Sequence, residues 1–286
     1  MYLFVDGRAT RLLSSRKAEE KVGLAEEHVI DARGLSRVFG GLVAVENYSL
    51  GLRAGDLNGL IGPNGAGKTT AFNLLTGVTA PSTGTVTVSG RDLTGRRPST
   101  FAQAGVARTF QNIRLFNDLS VLENVMCGGH MRSGASFLST MFRTSGFRAS
   151  EKAIADFAHD AIKRVGLEAH ALRRAGDLSY GDQRRVEIAR ALATQPRVLL
   201  LDEPAAGLNP RETETLVDLI RSVNAGMGVA ILVVEHDMRL VMNLCRRVQV
   251  LNRGRLIADG PPASIQSDPA VIEAYLGTRR KAAADA

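Results

Sequence analysis

Cysteine is nearly absent. Cys127 and Cys245 are the two in 286 residues, and neither has a partner at a metal-site or disulfide-motif spacing. That argues against a zinc centre or a disulfide framework, and the expectation is two buried thiols in a reducing cytoplasm. Long apolar runs are also missing. The longest, VAILVV at 229–234, is strand-sized, far below the ~20 residues that a membrane-spanning helix needs. The opening MYLFVDGRATRLLSSRKAEEK places a short apolar patch before mixed charge, unlike a secretory leader. Internal repeats and low-complexity blocks are lacking too. If the protein works at a membrane, it works from the cytoplasmic side on other chains' helices.

Acidic residues are outnumbered, 29 against 36 Lys plus Arg, leaving +7. Such a balance fits a nucleic-acid partner, an anionic membrane surface or a polyanionic ligand, and does not choose among them. Apolar residues at 44% are enough for a substantial core in one large domain or two modest ones.

From His28 the pattern is strand-like. HVIDARGLSRVFG and LVAVENYSLGL alternate apolar and polar residues, as half-buried antiparallel strands do. GDLNGLIGP is a more apolar strand, KTTAFNLLTG a helix that Gly77 is placed to end, and GTVTVSG another strand. Helical patterns dominate 112–180, around an exposed connection in the Ser-, Thr-, Gly- and Arg-rich stretch 131–150. RVLLLDEP and VAILVVEH then read as strands buried on both faces of a parallel sheet. RRVQVLNRGRLIADG is a hairpin turning at Gly254, and DPAVIEAYLG a terminal helix.

The stretch GPNGAGKTT, 62–70, has a strand before it and a helix after it, and Gly62, Gly67, Lys68 and Thr69 fit G-x-x-x-x-G-K-[ST]. Glycines let successive backbone N–H groups turn inward as an anion nest. The helix N-terminus adds partial positive charge, roughly 0.3–2 kcal/mol per anionic group. Lys68 supplies a full charge for terminal phosphates, and the Thr69 hydroxyl suits Mg²⁺. A glycine-rich turn with a chance lysine would not need that context, so the stretch reads as a nucleotide site. In VLLLDEP, Asp202 ends an apolar strand where a carboxylate can hold Mg²⁺ through water. Glu203 beside it is a candidate general base, in preference to a helix-capping acid. His236 ends VAILVVEH at the carboxyl end of a strand, where α/β proteins bind ligands, which favours a γ-phosphate contact over a core histidine.

LSYGDQRRVEIARAL, 178–192, resembles the signature sequence of ABC ATPases and stands just before VLLLDEP, as it does in that family. TFQN with Gln111, AAGLNP and VVEHD complete the set in order, so the resemblance covers about residues 28–277. It implies an α/β P-loop NTPase fold with a RecA-like core, an antiparallel β subdomain and an inserted α-helical subdomain. The domain would span 27–277, with the helical subdomain at 112–180, after a loose extension at 1–26 dispensable for ATP chemistry and before a frayed tail at 278–286. The resemblance also assigns roles. Gly62, Pro63, Asn64, Gly65, Ala66, Gly67, Lys68, Thr69 and Thr70 would cradle ATP. Phe39 would stack on adenine rather than serve as a core phenylalanine. Thr69, Gln111 and Asp202 would hold Mg²⁺. Gln111, Glu203 and His236 would act in hydrolysis, with Gln111 also linking to the helical region. Ser179 and Gly181 would touch the ATP of an opposing subunit in a head-to-tail dimer. Two positions depart from the family pattern: Asp182 stands where glutamine is frequent, and Asn209 where many members have aspartate.

One cassette without membrane helices, zinc motifs or a coiled-coil insertion is similar to the separate ATPase subunit of an importer. VFGGLVAVENYSL, RTFQNIRLFNDLSVLENV, IARALATQPRVLLLDEPAAGLNP and VIEAYLG look like the LivG-type ATPase of branched-chain amino-acid importers. That implies a LivF-like second ATPase or a second copy of this chain, two permeases, and indirectly a periplasmic solute-binding protein, at the cytoplasmic face of the inner membrane. Urea or short amides are alternative solutes in related systems. A soluble ABC ATPase acting on nucleic acid is the alternative from another class, motivated by the +7 charge alone.

Overall fold

The alternating and all-apolar strands sort into separate sheets, as their patterns require. In the computed structural model, residues 28–133 and 145–275 are described; the extension 1–26 and the tail 278–286 lie outside them. The alternating strands β1 (Ile30–Phe39) and β2 (Leu42–Leu52) pair antiparallel. With β4 (Thr83–Val88) and β5 (Arg91–Asp92) they make a four-stranded sheet in the order β2-β1-β4-β5. The second sheet holds β3 (Leu57–Ile61), β6 (Val106–Arg108), β7 (Val198–Asp202), β8 (Ala230–Val234), β9 (Arg247–Asn252) and β10 (Arg255–Gly260). Its order is β10-β9-β3-β8-β7-β6, parallel except for the β9–β10 hairpin at the edge.

Every residue of β3, β7 and β8 is buried. Such strands need cover on both faces. One face meets helix α1 (Lys68–Leu75), whose Ala71, Phe72, Leu74 and Leu75 share a core with Leu60, Leu200, Leu232 and the inner residues of the antiparallel sheet. The other face meets α5 (Tyr180–Ala193), α6 (Pro210–Met227) and α7 (Met238–Leu244). Gly59 admits the closest approach: a Cβ there would stand 2.4 Å from Val241 Cγ1 and 3.2 Å from Cys245 Sγ. Burial pushes the Cys245 thiol up to about 12, so it behaves as a small apolar side chain. Cys127 departs from the expected pair of buried thiols: it is free but only half-buried, on a helix that lines a groove.

Between β6 and β7 run α3 (Val121–Ser133) and α4 (Ser145–Arg164), packed on each other and on α5. The stretch expected as an exposed connection is thus partly helical: α3 reaches Ser133 and α4 starts at Ser145. Ile154, Ala158, Ala161 and Ile162 of α4, with Val165 just beyond it, form a buried stripe. Propagating a helix outward from such a stripe costs little per residue, so Ser- and Gly-containing turns are carried along. Short α2 (Pro98–Gln103), β6 and α8 (Pro262–Ser267) have no counterpart in the sequence reading.

Asn209 and Asp182, the two departures, have local structural tasks. Asn209 is the N-cap of α6: its side chain accepts from Glu212 N–H at 3.0 Å, and Glu212 accepts from Asn209 N–H at 2.9 Å. This reciprocal box is worth about 0.5–2 kcal/mol. Asp182 lies in the first turn of α5, where an acid suits the helix dipole, and is ion-paired to Arg185.

Candidate functional site

The loop 62–67 joins β3 to α1 at the carboxyl end of the parallel strands. Its glycines are not interchangeable. Gly62 has φ +154, and a Cβ there would stand 2.1 Å from Leu251 O. At Gly67, φ +100, the same atom would lie 2.5 Å from Ala44 O. Gly65, φ +75, faces open space. The backbone therefore hugs β2 and β9 on one side and is open on the other. Gly62, Pro63, Ala66 and Lys68 are buried, Gly67 and Thr70 half-buried, while Asn64, Gly65 and Thr69 are exposed. Lys68 donates from Nζ to Gly62 O at 2.7 Å and Pro63 O at 3.1 Å. Burial pulls its pKa down, against the opposing pull of Glu203 and Asp202. A charge held there short of solvent is matched to an anion.

Asp202 and Glu203 arrive from β7. Burial raises the Asp202 carboxyl, with Arg108 opposing. The Arg108 guanidinium, 3.7 Å from Asp202, also donates to Asn73 Oδ1 and Thr76 Oγ1 at 3.0 Å and lies over the rings of Phe72 and Phe110. One side chain thus locks α1, β6 and β7 into register. Glu203 stands at φ 44, a left-handed conformation that a non-glycine residue adopts at a cost of about 1–3 kcal/mol. Its N–H is held by Val234 O at 2.8 Å. Its Oε2 accepts from Gln111 Nε2 at 3.0 Å and is 3.7 Å from His236 Nδ1. Gln111 thereby keeps its amide oxygen available.

The His236 side chain is 59% exposed, which removes the core-histidine alternative. Phe39 is likewise exposed at 45%, with the Arg37 guanidinium 4.6 Å from its ring centre. The hairpin carrying it is fastened beside the loop: Glu46 N–H donates to Gly254 O, and Gly254 N–H to Ala66 O.

Ser179 and Gly181 are brought elsewhere. Ser179 caps α5, accepting from Asp182 N–H at 3.2 Å, and Gly181 packs on Glu212. Among the described residues neither hydrogen-bonds to the loop 62–70. Two acids that the sequence reading missed support the site. Glu235, 1% exposed, accepts from Ala205 N–H at 2.9 Å and His236 N–H at 3.2 Å. Glu187, 2% exposed, pairs with Arg184 at 2.7 Å. The signal for Glu235 was available: an acid directly after an all-buried strand needs partners.

The candidate metal donors are oxygens throughout: the Thr69 hydroxyl, the Gln111 amide oxygen and the Asp202 carboxylate. Oxygen donors are what a hard divalent cation takes. Glycine nest, buried lysine and carboxylate-bearing strand end fit a nucleoside triphosphate. The arrangement is that of an ATP-hydrolysing cassette.

Comparison with known proteins gives the same class and narrows it. The family profile for "ABC transporter" matches residues 45–206, and one for "Branched-chain amino acid ATP-binding cassette transporter" matches residues 255–281. The chain is 47% identical to the high-affinity branched-chain amino acid transport ATP-binding protein LivG of Salmonella typhimurium, over 87% of this chain and 98% of that one. It is 44% identical to BraF of Pseudomonas aeruginosa, over the same shares. The crystal structure of the ADP conformation of MJ1267, an ATP-binding cassette of an ABC transporter, superposes with a TM-score of 0.76 at 30% identity, covering 88% of this chain and 100% of that one. The chain therefore belongs to the ABC transporter family, among its nucleotide-binding ATPase cassettes. Within that family it is similar to the branched-chain amino acid transport cassettes. No helix among the described residues is long and apolar enough to cross a membrane.

Proposed function

We propose that this cassette powers uptake of branched-chain amino acids, bound at the cytoplasmic face of the inner membrane beneath two permeases. The carrying observation is the shared Glu203 carboxylate, in contact with Gln111 and close to His236 at the mouth of the phosphate loop. Residues 62–70 bind the triphosphate, with Lys68 on its terminal phosphates, and Phe39 stacks on adenine. Thr69, Gln111 and Asp202 would hold Mg²⁺, which would supply charge neutralisation at the triphosphate. Gln111 orients the attacking water, Glu203 Oε2 takes its proton, and His236 hydrogen-bonds the γ-phosphate. Ser179 and Gly181, occupied away from their own loop, serve the ATP of a LivF-like partner or of a second copy, head to tail.

The groove of about 920 Å³ between α2, β6, the middle of α3 and α5, lined among others by Pro98, Phe101, Phe116, Cys127 and Arg190, is where a permease's cytoplasmic helix docks. The solute is delivered by a periplasmic binding protein and never meets this chain. In vesicles holding cassettes and permeases, leucine-loaded binding protein should stimulate ATP turnover severalfold. Stimulation by urea or short amides instead would reassign the solute and leave the ATPase reading intact.

A further inference from the structure

A buried ion pair in α5 is fastened to the backbone beside the catalytic site. Arg184 is fully buried and Glu187 is 2% exposed. Arg184 Nη1 donates to Glu187 Oε2 at 2.7 Å and to Phe110 O at 2.8 Å, while Nη2 donates to Gln111 O at 2.8 Å. Glu187 Oε1 accepts from Phe110 N–H at 3.2 Å. Three backbone groups of Phe110 and Gln111 are thus held by one helix, more than 70 residues away in sequence. The same helix begins at Ser179, about 7.5 Å of helix rise before Arg184.

A buried ion pair contributes little net stability, because desolvation offsets its attraction. Its planar fork, by contrast, fixes two acceptors in one geometry. We infer that Arg184 and Glu187 are positioning residues for ATP hydrolysis. They clamp Gln111 to the helix that starts with Ser179 and Gly181, so that Gln111 reaches Glu203 only when that helix is seated. Occupancy of the partner's site, felt at the start of α5, is then transmitted to the hydrolytic groups of this chain's own site. The inference rests on the role proposed above for Gln111.

The test uses the full chain in its assembled transporter, with kcat and KM for ATP measured alongside Tm. In Arg184→Lys the ammonium keeps the pair with Glu187 but cannot span both carbonyls. In Arg184→Met/Glu187→Met an apolar pair fills the space and holds no backbone. Both variants should lose at least tenfold in kcat with KM within twofold, and melt within a few degrees of the parent. Gln111→Ala is the reference and should lose a comparable factor. Parental kcat in the two clamp variants, with Gln111→Ala impaired, would overturn the clamp alone. Parental kcat in Gln111→Ala would overturn the reading of the site and the clamp with it. Failure of both clamp variants to fold would make the pair structural and also overturn the inference.

Discussion

Replacing Lys68 by Met should separate ATP binding from folding. Lys68 is 8% exposed, and its ammonium donates to Gly62 O and Pro63 O at 2.7 and 3.1 Å. A hydrogen bond to a charged group is worth about 1.5–3 kcal/mol, so two of them redirected to phosphate oxygens give about 3–6 kcal/mol. That is a rise of about 10²- to 10⁴-fold in the Kd for ATP. Folding responds differently. Burial holds the folded pKa of Lys68 below its unfolded value. Between the two values the unfolded chain binds more protons, so stability rises with pH there. Below that interval the charged amine weighs against the nucleotide-free fold. Met removes this penalty but leaves two loop carbonyls short of a donor. The opposed terms should keep the change near 1 kcal/mol, a Tm shift of about 2–4 °C for a chain of this size. Calorimetric titration with ATP and nucleotide-free melting together check it. An unchanged Kd, or a collapse of the nucleotide-free fold, would refute the reasoning.

Two glycines of one loop should behave oppositely. Gly62→Ala places a Cβ 2.1 Å from Leu251 O and should abolish soluble folded protein, whereas Gly65→Ala meets no atom within 4 Å and should cost only about 1–2 kcal/mol of left-handed strain; expression and melting curves decide. Glu235 is raised by burial above its ordinary 4.5, so the folded state holds the extra proton and stability is lost as pH rises through the folded pKa. Glu235→Gln cannot titrate, and its Tm relative to the parent should climb as pH rises above the ordinary glutamate range; a flat difference would contradict the shift. Ser179→Arg should spare ATP binding at this chain's own loop and damage the partner's site, read by site-specific photolabelling. Loss at the chain's own loop alone would exclude the head-to-tail assembly.

Local signals carried much of this fold to the surface of the sequence. Strand β8 is apolar throughout, and β7 is apolar up to Asp202, because both faces are covered; the loop 62–70 announces itself because glycines, lysine and threonine stand between a strand and a helix. Short elements were silent. β6 is three residues held by pairing with β7, and α2 buries only Phe101, so neither displays a period. The contacts that tune the site were also hidden, because they join residues far apart. Arg184 meets Gln111 across 73 positions and Glu235 meets Ala205 across 30, and no local spacing encodes either. Cys127 was misjudged because the groove beside α3 leaves its helix less covered than its apolar neighbours suggest.

The central claim is that Glu203 accepts the proton of the water that attacks ATP. Single-turnover hydrolysis by Glu203→Gln in the assembled transporter tests it most directly. The amide keeps an oxygen for Gln111 Nε2, now bonded at 3.0 Å, but cannot take a proton. The account predicts ATP bound at near-parental affinity and cleaved about 10²- to 10⁴-fold more slowly, the range for loss of a general base. Phosphate release at the parental rate would contradict it.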